Sequence, residues 1–97
     1  MAKVSMFAKF VCAEGKPEEM DAALVAVVAA SEGVDGIESY SYHKGDDGTY
    51  WFYALMSNSK AMQTHADNEA MQTAMASFMP LLAGPPEMSV TTPVAVR

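Results

Sequence analysis

The stretch "KVSMFAKFVC" at residues 3–12 places Val4, Met6, Ala8 and Phe10 on one side of an extended chain. Phe7 and Val11 fall on the other side, and the pattern predicts a strand. "AEGK" turns the chain, and Pro17 takes the first helical position, followed by Glu18 and Glu19 in the first turn. Met20, Leu24, Val27, Val28 and Ser31 recur at helical spacing, so a helix is predicted to about Ser31, where "EGVDG" breaks it. "IESYSYHK" (37–44), "GDDG" and "TYWFYALM" (49–56) read as strand, turn and strand. Asn58 or Ser57 is placed to cap a helix starting near Ser59. Met71, Met75, Phe78, Met79 and Leu82 form another apolar stripe, with Pro80 bending its last turn and "GPP" ending it. "EMSVTTPVAV" (87–96) is a final strand in which Pro93 marks an edge or a lapse in pairing.

One segment breaks helical phase. "AMQT" occurs at 61–64 and again at 70–73, with "HADNE" between the copies. Nine residues advance an α-helix by ~900°, half a turn out of phase, so one straight rod would put Met62 and Met71 on opposite faces. Two helical pieces meeting near Ala66–Asp67 resolve the conflict and turn both methionines inward. Asp67 is the expected N-cap of the second piece and Glu69 its first-turn carboxylate, with His65 at the bend.

The order β-α-β-β-α-β predicts a single domain over residues 1–97. Its class is α+β: a ferredoxin-like, four-stranded antiparallel sheet with the helices on one face. Strand three has Tyr50, Phe52, Ala54 and Met56 on one side and Trp51, Tyr53 and Leu55 on the other. A second face this apolar requires cover, and the same face of another copy supplies it, so a homodimer is expected.

With 97 residues, 51% of them apolar, the chain has room for one modest core. A net charge of −6 with only six basic residues argues against a nucleic-acid partner. No stretch approaches the ~20 apolar residues of a membrane span, and Lys9 interrupts any secretion-like run. A single cysteine, Cys12, fits a cytoplasmic protein without disulfides. The expected partners are a copy of the chain and a small hydrophobic or aromatic molecule.

His65 is the candidate catalytic residue. A helix C-terminus and the nearby Asp67 both favour a proton on its ring. Trp51, Tyr53, Tyr40 and Tyr42 cluster on the hairpin as ordinary sheet packing or as the wall of a pocket for a flat ligand. Trp51, Tyr53, Tyr40 and the inward Met62 are taken as substrate-binding residues. The face shared by Met71, Met75 and Met79 is read as core and not as a soft-metal site. No ligand set for zinc or calcium, and no phosphate-cradling glycine loop, is visible, so no metal or cofactor is expected.

"GKPEEMDAAL", "GVDGIESYSYHK" and "YALMSNSKAMQTHADNEAM" together resemble the antibiotic-biosynthesis-monooxygenase (ABM-like) family of dimeric α+β barrels, over roughly residues 3–95. The resemblance implies two ferredoxin-like subunits joined sheet to sheet, with His65 at the family's common histidine. It also implies oxidation of a small aromatic, quinol or polyketide-like substrate by O2 without metal or flavin. The substrate itself supplies the electrons once deprotonated, inside a dry site. A haem-degrading branch pairs a tryptophan with a later histidine; here His65 and Met75 stand at those places, so haem degradation is not expected. Ala54-Leu55-Met56 replaces an acidic residue and an aromatic that many relatives carry at the end of strand three. That departure keeps open the alternative of a non-enzymatic dimeric module that binds a small ligand or other proteins.

Overall fold

In the computed structural model, which describes residues 2–96, the chain forms four strands and three α-helices. These are β1 (Val4–Val11), α1 (Pro17–Ser31), β2 (Ile37–Lys44), β3 (Thr49–Met56), α2 (Ser59–Asp67), α3 (Glu69–Phe78) and β4 (Glu87–Thr91). A 3-10 turn at Met79–Leu81 follows α3, where Pro80 lacks the N–H that would continue the helix. The sheet order is β2-β3-β1-β4 with every neighbouring pair antiparallel, the ferredoxin-like arrangement. Pairing of the last strand stops at Thr91, short of the predicted 87–96, and Pro93 lies beyond it.

Strand alternation assigns the two faces. Register pairs Ala8 with Phe52 and Phe10 with Tyr50, and these side chains point at the helices together with Met6, Ala54 and Met56. From α1 the predicted stripe supplies Met20, Leu24 and Val27, while α3 supplies Met71 and Phe78. Phe10 and Tyr50 stack with ring centroids 5.3 Å apart. The Tyr50 hydroxyl donates to Asp21 at 2.5 Å and Lys44 donates to the same carboxylate at 2.9 Å, pinning α1 over the hairpin. Beneath α2 lies a second cluster of Met6, Ala8, Phe52, Ala54, Met56 and Ala61.

The opposite face is apolar at its centre and open. Phe7 and Trp51 keep about half their surface exposed, at 48% and 49%, and Val11 55%. Phe7 packs on Tyr53 at 5.2 Å, and the Lys9 ammonium sits 5.7 Å from the Trp51 ring.

The helix break falls at one residue. Asn68 adopts an extended conformation, φ −72° and ψ 122°, between α2 and α3. Its side-chain oxygen accepts from the Met71 N–H at 3.0 Å, so Asn68 caps α3 and the expected cap, Asp67, is instead the last residue of α2. Asp67 accepts from the Gln63 amide at 3.0 Å, one turn back along its own helix. Both residue types cap well, but only one can hold the extended junction position, and the chain uses Asn68. Asn68→Ala is therefore expected to cost ~1 kcal/mol of stability in denaturant melts, and Asp67→Ala clearly less.

Candidate functional site

Helix α2 starts at Asn58, whose side chain accepts from the Ala61 N–H at 3.0 Å. That cap sets the helix phase. Ala61, Met62 and His65 then share the side facing the sheet, at the spacing of neighbours on one helical stripe. Ala61 is buried against Gly36, and Met62 is half-buried on the cluster under α2. His65, one turn further, reaches over the exposed end of that packing toward β2. Its Nε2 and the Tyr40 Oη share a hydrogen bond of 3.0 Å, and the rings lie 5.5 Å apart.

This pair stands in the wall of a cavity of about 180 Å³ between the sheet, α2, α3 and the approach to β4. Tyr40, Tyr42, Phe10, Phe52 and Phe78 supply its aromatic surface. Met6, Met75, Met79, Met88, Ala8 and Pro86 complete it. Phe52 packs against both tyrosines, 4.9 Å from Tyr40 and 4.8 Å from Tyr42. Met79 and Met88, 48% and 56% exposed, flank the side open to solvent.

Burial sets the protonation of the pair. Loss of hydration pushes the His65 ring below its ordinary value of 6.5, so the neutral imidazole is favoured near neutral pH. This reverses the expectation from the helix end and Asp67, because Asp67 turns back to Gln63 and the ring is half-buried against Tyr40. Burial raises both tyrosines above the ordinary 10.0, Tyr42 the more strongly, so both phenols stay protonated. The result is a neutral imidazole hydrogen-bonded to a protonated phenol at the wall of an apolar chamber, with a second protonated phenol, Tyr42, next to Tyr40. Among the described residues no group of three or more His, Cys, Asp or Glu side chains is placed to hold a metal ion. None of their helices is long and apolar enough to cross a membrane.

Of the residues singled out from sequence, His65, Tyr40 and Tyr42 line this cavity. Trp51 and Tyr53 do not: they belong to the odd-numbered face of β3, on the far side of the sheet from the cavity. Met62 packs beside the cavity without lining it. Phe52, Phe78 and the methionines of the mouth take those places instead. Strand alternation carried part of this signal, because the β2–β3 register opposes Tyr40 to Ala54 and Tyr42 to Phe52. Met75 and Met79 belong to an apolar stripe visible in the spacing, but that they line a cavity together with Met88 depends on long-range packing.

The sequence profile of the antibiotic biosynthesis monooxygenase family matches residues 4–77, most of the chain. The chain belongs to this family. No curated protein matches it significantly. Among solved structures, Rv0793 from Mycobacterium tuberculosis is 21% identical, covers 98% of each chain and superposes with a TM-score of 0.88. A variant of SnoaB, a cofactor-independent oxygenase from Streptomyces nogalater, is 14% identical over 99% of this chain and 97% of its own, with a TM-score of 0.87. NE2512, a protein of unknown function from Nitrosomonas europaea, is 18% identical over 100% and 94%, with a TM-score of 0.85. At these identities the superpositions establish the monooxygenase-family fold and leave the chemistry to the site.

Proposed function

We propose that this protein is a cofactor-independent monooxygenase that uses O2 to oxidise a small aromatic, quinol or polyketide-like molecule. The observation that carries the reading is the His65–Tyr40 pair, hydrogen-bonded at 3.0 Å in the wall of an otherwise apolar cavity. Family membership and the SnoaB-like fold support it.

The chemistry follows from what the pair can do. Neutral His65 takes a proton from an acidic O–H or C–H of the bound molecule. The hydroxyl of Tyr40 donates to the oxyanion that develops, and exclusion of water makes that donation worth more than it would be in solution. The resulting anion is the electron donor to O2. One oxygen atom enters the substrate, and the other leaves as water with the two hydrogens the substrate has lost. The protein contributes binding, proton transfer and dryness. The test is O2 uptake by the purified protein with candidate aromatics, without added metal or flavin. An absence of protein-dependent uptake across phenols, quinols and anthrones would refute the reading.

One observation favours the alternative, a ligand-binding module without turnover. Ala54 and Met56 are fully buried in apolar packing, where a charged group has no room. Among the described residues that line the cavity, His65 and the two tyrosines are the only titratable groups.

The apolar face around Phe7, Trp51 and Tyr53 supports assembly as a homodimer through the sheets, with the His65 cavity on the other side of each sheet. Light scattering at micromolar concentration is expected to give twice the chain mass. Phe7→Asp is expected to yield insoluble or unfolded protein; a stable wild-type monomer would refute the assembly.

A further inference from the structure

We propose that the His65 cavity selects a single-ring phenol with one hydrogen-bonding end, over hydroquinones and over fused polycyclic compounds. The proposal rests on the cavity being the substrate site, as read above.

Size is the first constraint. The cavity measures about 180 Å³. A dry protein cavity of roughly 150 Å³ is filled by one benzene. One ring and a small substituent therefore fill this space. A second fused ring would have to displace Phe52 or Phe78, which are 6% and 5% exposed and fixed in the core, or protrude between Met79 and Met88.

Polarity is the second constraint. Among the described residues that line the cavity, only Tyr40, Tyr42 and His65 carry polar side-chain groups; His65 and Tyr40 turn theirs to each other, so the exposed wall is almost wholly apolar. A phenol hydroxyl engages this end by inserting into the His65–Tyr40 hydrogen bond, the one place in the wall where it finds both an acceptor and a donor. Everywhere else the lining is methionine, phenylalanine, alanine and proline. A second hydroxyl across the ring would lose its water and meet only thioethers and ring faces. Such an unpaired buried group weakens binding about ten-fold or more.

The same geometry suits the reaction. Phenol plus dioxygen gives benzoquinone plus water: the O–H hydrogen and the opposite ring C–H hydrogen leave in the water, and the ring supplies every electron. His65 receives the hydroxyl proton first. The new carbonyl oxygen forms at the apolar end, where nothing donates to it, so the product binds more weakly than the substrate and is released.

Anaerobic calorimetric titration of the wild-type protein with 4-ethylphenol, hydroquinone, 1-naphthol and anthrone tests the selectivity. 4-Ethylphenol is expected to bind at least ~10-fold more tightly than hydroquinone, with no detectable heat from anthrone. Met75→Ala, which opens one wall, is expected to improve 1-naphthol binding relative to 4-ethylphenol. Hydroquinone or anthrone binding as tightly as 4-ethylphenol to the wild type would overturn the proposal. O2 uptake with phenol separates this inference from the oxygenase reading. The expected binding order without uptake sustains the selectivity and sinks the oxygenase. Uptake with anthrone but with no single-ring phenol does the reverse.

Discussion

His65→Ala is expected to lower O2-dependent turnover ~10²-fold or more while changing folding stability by no more than ~1 kcal/mol. The asymmetry comes from where the ring lies. It is half-buried at the cavity wall, so removing it takes little packed surface but deletes the only imidazole that faces the cavity. Tyr40 would keep its place through Phe52 and Tyr42 and lose one hydrogen-bond partner. Stopped turnover in a variant that also unfolds would not meet the expectation, so circular dichroism accompanies the rate measurement.

The pH dependence follows from the same burial. A base works in its deprotonated form, and the folded protein holds His65 below 6.5. Turnover should therefore be flat at neutral pH and fall as pH drops through a value under 6.5. Stability carries a parallel signature. The unfolded chain protonates this histidine first, so stability starts to decline near pH 6.5 and continues to decline down to the folded value. His65→Ala should lack that component. The carboxyls of Asp21, Glu38 and Asp47 are held low by hydrogen bonds from Tyr50, Lys3 and Thr49 respectively. Their contribution is lost at lower pH, below about 4, which separates the two effects in a titration of melting temperature.

Gly36→Ala is the second large effect expected, at about 2–5 kcal/mol of destabilisation. Gly36 has φ +89°, which disfavours any side chain, and an added Cβ would lie 2.6 Å from the Cβ of Ala61. Neither methyl can rotate away, so α2 itself must shift. Gly36 also holds the start of that helix from below: its carbonyl accepts from the Ser57 N–H at 2.8 Å and from the Ser57 hydroxyl at 3.2 Å. A shift of α2 carries His65 with it, so turnover should fall together with a melting-temperature loss of more than ~10 °C. Gly84→Ala is the matched control: nothing lies within 4 Å of its added Cβ, and its melting temperature should not change.

The strands and α1 were legible in the sequence because alternation and helical spacing are local signals. Pro17, the "GDDG" turn and the Met20–Leu24–Val27 stripe all act where they stand. The helix break was legible from the phase conflict between the two "AMQT" copies. Its position shifted by one residue because Asp67 and Asn68 are equally good caps by type. His65 and Tyr40 were legible, but the ring's protonation was not. Helix end and neighbouring carboxylate are sequence-local, whereas the burial that outweighs them comes from β2, 25 positions away. Trp51 and Tyr53 misled for a related reason. Aromatic residues at adjacent strand positions face opposite sides, and composition alone does not say which side holds a cavity.

The extended junction at Asn68 divides the second half of the fold into two separately anchored rods. The angular position of His65 is counted from Asn58, while that of Met71 and Phe78 is counted from Asn68. A residue inserted within α2 before His65 would carry the imidazole ~100° around the axis of α2. The Met71–Phe78 stripe would keep the azimuth its own cap gives it. Reactive geometry and core register thus have independent origins, and drift in one helix need not propagate into the other.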